Sequence, residues 1–181
     1  MTDIPNFIYI SKLDAAKRQL ETAIRLFFNN SDFVSIHTLT CAGYDILKDL
    51  AKKQNITSQV QESFEKFIRA DKRKEVLDKL NKPKHFFKHA NIDDPESTVM
   101  FSPDRGSEFW IWDACSLYFK LTKEKPALMF TYEIWFTMMN RDIFMDSKLL
   151  EAVDTAAKEF NLTVDNRPGY WNVVKHYELM A

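Results

Sequence analysis

Glycine is the residue this chain does almost without, and that scarcity constrains its fold more than any motif. Only 3 of its 181 residues are Gly. Tight hairpins and phosphate-cradling loops need positive-φ positions that glycine occupies with least strain. So few glycines steer the chain away from hairpin-rich β structure and from nucleotide-binding loops. Aromatics run the other way, with 15 Phe, 6 Tyr and 4 Trp, enough to fill a core with large flat side chains. Together these features predict an all-α fold. We expect a bundle of about six to eight helices, with residues 1–181 forming one domain. A chain of this length buries roughly two-thirds of its unfolded surface, so neither a disulfide nor a metal is needed to hold it together.

Hydrophobic periodicity places the helices. Ser11, with Asp14 three residues on, opens the first. Leu13, Ala16, Leu20, Ala23, Ile24 and Phe27 then recur on one face, and Asn29-Asn30 ends it. A second helix starts at Asp32 or Ser35 and runs to about Gln54. Its first half, Val34 to Tyr44, carries no charge and should be buried nearly all round. Its second half, with Asp45, Lys48, Asp49, Lys52 and Lys53, should emerge toward solvent. Ser58 to Ala70 is a third helix. The charged run DKRKEVLDKLNK is a fourth that stops before Pro83, and Pro83 opens a short fifth, KPKHFFKHA. Residues 92–106 form the longest loop, a place to look for function.

Ser107 to about Thr122 and Pro126 to about Arg141 are the most apolar helices. Each carries one narrow polar stripe, Asp113, Ser116 and Lys120 in the first and Glu133, Thr137 and Asn140 in the second. Facing each other, the stripes would desolvate Asp113 and Glu133 and raise their pKa values. Charges at helical spacing more often mark a solvated edge, so we expect both stripes to face water. Ser147 to Phe160 is a further amphipathic helix, and Tyr170 to Met180 closes the chain. Phe7 to Ile10 and Thr98 to Phe101 are the only strand candidates.

The formal net charge of −1 gives RNA no long-range attraction, so an RNA partner would need a local basic patch. Cys41 and Cys115 stand alone in apolar helical stretches and read as buried thiols of a reducing compartment. The N-terminal apolar run is too short for a secretory signal, and no stretch approaches the ~20 apolar residues of a membrane span. The expected location is the cytoplasm, away from membrane. The expected partner is another protein or a second copy of the chain. Glycine loops for phosphate, GxSxG elbows, clustered cysteines and paired ExxH motifs are all missing, and no cofactor is indicated.

The densest polar cluster is Lys84-His85-Phe86-Phe87-Lys88-His89 followed by Asp93-Asp94. His85 and His89, four apart, share a helix face and could hold a metal with Asp93 or Asp94 as a further ligand. His37 is the natural candidate to complete such a site, or to act as a general base lining an internal pocket. The competing readings are ordinary ones. His and Lys in a last helical turn favour its negative end, and a buried histidine usually serves hydrogen bonding alone.

The stretch ISKLDAAKRQLETAIRLFFNN…SIHTLTCAGYDILKDLAKK, with FFKHA further on, resembles a family of small bacterial and archaeal helical proteins without an assigned activity. More distantly, the chain is similar to HEPN-type helical domains, many of them RNases of toxin–antitoxin or defence systems. Their signature is an Arg followed four to six residues later by a His. Lys84 and His89 match it with Lys in place of Arg, and His85 holds the position after it. The resemblance implies His89 as acid/base, with Lys84 and His85 on phosphate. Lys offers charge there without the bidentate fork of Arg.

Overall fold

The computed structural model describes residues 7–89, 98–102 and 105–180. Among them are eight α-helices and no strand, the all-α bundle that composition implies. They are α1 (Lys12–Phe28), α2 (Phe33–Lys53), α3 (Gln59–Phe67), α4 (Arg73–Phe86), α5 (Glu108–Thr122), α6 (Ala127–Met139), α7 (Ser147–Glu159) and α8 (Trp171–Glu178). No helix is long and apolar enough to cross a membrane among the described residues.

Local chemistry sets the ends. The Asp14 amide donates to Ser11 Oγ at 3.0 Å, which fixes the start of α1. The Ser35 amide donates to Asp32 Oδ2 at 2.7 Å, so Asp32 caps α2. α1 and α2 cross antiparallel at Gly43, where a Cβ would stand 3.2 Å from the Ala16 carbonyl oxygen. A side chain there would push the two helices apart.

The core gathers Leu20, Ile24 and Phe28 of α1, Ile36 and Leu47 of α2, Ile111 and Leu117 of α5, and Tyr132, Trp135 and Phe136 of α6. Phe28 stacks on Tyr170 at 5.3 Å, and Phe27 meets Trp135 edge-on at 4.6 Å. The Arg167 guanidinium lies over Phe27 at 4.1 Å and ties the C-terminal turn to α1.

Several expectations are corrected. The first half of α2 is buried on one face and not all round, since Val34 is exposed while Ile36, His37, Thr40 and Cys41 are buried. Pro83 does not break α4, which runs through it to Phe86. The missing N–H falls in the last turn, where it would have bonded the carbonyl of Lys79, an exposed residue that water can serve. α3 stops at Phe67 because Arg73 folds back on it, donating to the carbonyl oxygens of Glu65 at 2.6 Å and Ile68 at 3.0 Å. Phe7–Ile10 and Thr98–Phe101 are not strands, as each lacks a neighbouring strand to complete a ladder.

Candidate functional site

α4 covers the cleft without sealing it. None of its residues is buried, and Leu77 and Leu80, three apart, remain 40% and 41% exposed. Between α4, α3 and the second half of α2 lies an open cleft of about 800 Å³. Its floor is apolar, with Tyr44, Ala51, Ile56, Trp110 and Leu117 opposite Leu77 and Leu80. Trp110 and Tyr44 meet edge-on at 5.0 Å. The rim is mixed: Lys48, Lys52, Arg73 and Lys84 against Asp45, Asp49 and Glu65. Such near-balance gives no strong attraction for a phosphate or a nucleic-acid backbone.

One end of the cleft rests on a buried polar cluster. Asp113 of α5 is fully buried, and its Oδ1 accepts the amides of Gln59 at 2.8 Å and Val60 at 3.3 Å. A carboxylate from a distant helix thus caps the N-terminus of α3. Ser58 Oγ adds a local cap by accepting from the Gln61 amide at 3.0 Å, and the Tyr44 hydroxyl lies 3.4 Å from it. Burial holds the Asp113 carboxyl above the usual carboxylate range, although the surrounding hydroxyls and amides favour its ionised form. Burial likewise pushes the Tyr44 phenol up, with the Asp113 charge adding to it. Lys120 braces the same end, donating to the Thr57 carbonyl oxygen at 2.7 Å.

This overturns the expectation of two solvated stripes. Glu133 stays partly exposed, paired with Lys125 at 2.6 Å, but Thr137 and Asn140 of its stripe are buried and Asp113 is in the interior. What draws it there is the unsatisfied N-terminus of α3, not the opposing carboxylate.

His37 lies outside the cleft lining, packed against Phe87 just past α4, and is 1% exposed. Its Nδ1 lies 3.0 Å from Ser107 Oγ, and its Nε2 lies 3.4 Å from Cys41 Sγ. Phe87, just past α4, packs its ring edge-on against the imidazole at 5.8 Å, and Phe101 does so at 4.9 Å. Burial, followed by the nearby Lys88 charge, lowers the His37 pKa to about 4. Burial raises the Cys41 thiol to about 12. Both groups are therefore neutral, suited to packing and hydrogen bonding rather than to nucleophilic attack.

The sequence-level candidates divide accordingly. Lys84 lines the cleft and donates to Asp45 at 2.5 Å, which ties α4 to α2. His85 also lines the cleft. His85 and His89 are exposed, with ring centroids 6.4 Å apart. His37 is in contact with Phe87, which lies between those two histidines in sequence, and is buried while they are exposed. Asp93 and Asp94 lie outside the described residues. Among the described residues no group of three His, Cys, Asp or Glu side chains is placed to hold a metal. The sequence does not mark Tyr44, Ser58 and Trp110 as residues of one site, although all three line the cleft. The Ser58-x-x-Gln61 capping box was a legible signal for one of them. No family model, curated protein or solved structure matches this chain.

Proposed function

We propose that this chain is a binding module whose site is the cleft between α2, α3 and α4, and that the cleft receives an apolar segment of a protein partner. The observation that carries the reading is a helix, α4, that leaves Leu77 and Leu80 exposed over an apolar floor. Exposed leucines facing a volume of about 800 Å³ are the usual build of a ligand or peptide site, with polar groups at its edge. The balanced rim favours a peptide over a polyanion. Anilinonaphthalene sulfonate, a flat apolar dye, is a direct probe. Saturable binding to the dilute folded protein, with NMR shifts at the Trp110 indole and the Leu77 and Leu80 methyls, is the expected result. Absence of saturable binding, or shifts confined to other surfaces, contradicts the reading.

A second reading, an RNase using Lys84, His85 and His89, draws on one observation. The two histidines are exposed side by side at the end of α4. It competes with the engagement of Lys84 by Asp45. RNA cleavage by the purified protein that disappears in His89→Ala would support it, and an inactive wild type would end it.

A further inference from the structure

The chain carries a second unpartnered apolar feature besides the cleft. Residues Phe7, Ile8, Tyr9 and Ile10 precede α1 outside any helix or strand, and their exposures run from 48% at Ile10 to 80% at Phe7 and to complete at Tyr9. No backbone hydrogen bond joins them to another described residue. Four consecutive large apolar side chains in water are a liability unless something covers them. The arm does not enter the cleft of its own chain, since none of the four residues lines it. Because α1 and α2 run antiparallel, the root of the arm stands at the end of α2 that forms the cleft.

We propose that the arm, residues 7–10, inserts into the α2–α3–α4 cleft of a second copy, and that two copies exchange arms to form a symmetric dimer. This rests on the reading of the cleft as a peptide site and names its occupant. The dimensions agree. Four extended residues span about 13 Å, within the roughly 20 Å length of a helix such as α4. Phe and Tyr side chains offer roughly 150–250 Å² each. Two arms with the walls they cover therefore fall in the ~1,200–2,000 Å² range of a stable interface. The chemistry agrees as well, because an uncharged arm needs no rim of one sign. Reciprocal exchange closes the assembly at two copies and leaves no cleft open to build a filament.

The test is light-scattering mass on the full chain at tens of micromolar. Wild type should have twice the 21.3 kDa of one chain, and Phe7→Asp/Tyr9→Asp should have the mass of one. Phe7 and Tyr9 are 80% and 102% exposed in the single copy, so that double substitution should leave the fold intact, with helical circular dichroism as the check. Leu80→Glu, altering the cleft instead, should also give the single mass, with its helical circular dichroism confirming the fold. Oxidation of Tyr9→Cys/Leu77→Cys should link two chains. A monomeric wild type overturns the proposal, as does a link formed within one chain or a dimer that survives the arm substitutions. Dye titration of the Phe7→Asp/Tyr9→Asp protein separates the two failures. Dye bound in its cleft beside a monomeric wild type leaves the site standing and removes the arm. No dye in the cleft removes the site itself.

Discussion

α6 and α4 are helices of nearly equal length with opposite circumstances. α6, 13 residues, buries eight of them, including Tyr132, Trp135 and Phe136. α4, 14 residues, buries none. The first is held along its whole length by packing. The second is held at its ends, by Arg73 folded onto α3, by Lys84 on Asp45, and by Phe87 against His37. Packing resists local opening, whereas point anchors permit it. One bundle thus contains a helix packed along its length and a helix fixed at a few points.

Trp135→Ala should destabilise the whole fold by about 3–5 kcal/mol in urea denaturation, because a fully buried indole in contact with Phe27 and Tyr132 leaves a cavity. Leu80→Ala in α4, measured the same way, should cost under about 1 kcal/mol, since its side chain is already partly in water.

The next effect is pH-dependent. His37 binds protons less readily folded than unfolded, its pKa falling from 6.5 to about 4. As pH falls through that window the unfolded chain takes up the proton first, so stability is lost, by up to about 3 kcal/mol. His37→Gln should remove this part of the acid sensitivity when wild type and variant are compared across the window.

Asp113 acts with the opposite sign. Its folded pKa is raised, so its contribution is fully present below the unfolded value and shrinks as pH rises through the folded one. Asp113→Ala should cost about 2 kcal/mol, because the Gln59 and Val60 amides lose their acceptor. Asp113→Asn keeps that acceptor without the buried charge, and at neutral pH it should be at least as stable as wild type.

The smallest effect belongs to Lys84→Ala. The pair with Asp45 is 19% and 42% exposed at its two side chains, so its loss should cost under about 1 kcal/mol. Hydrogen exchange should localise that loss to α4.

Much of the rigid part was legible in the sequence. Ser11 with Asp14, and the apolar runs of α5 and α6, mark elements whose packing follows from their own residues. The candidate site was far less so. Lys84 and His85 do line the cleft, but Trp110 reaches it from α5, and Asp113 of the same helix holds the start of α3 beside it. Asp113 looked like part of a solvated stripe because its partner amides lie more than fifty positions away. Pro83 looked like a helix boundary because its cost depends on how many turns follow and on water reaching one carbonyl. Periodicity reports the faces of a helix, not how closely two helices approach, and the cleft is a matter of approach.

Native-state hydrogen exchange, residue by residue, separates a helix held along its length from one held at a few points. In the Phe7→Asp/Tyr9→Asp protein, whose cleft no arm fills, α6 amides should exchange only through global unfolding, α4 amides through a much smaller opening, and dye bound in the cleft should slow α4 selectively. Equal protection of α4 and α6, or dye that leaves α4 exchange unchanged, would contradict the account.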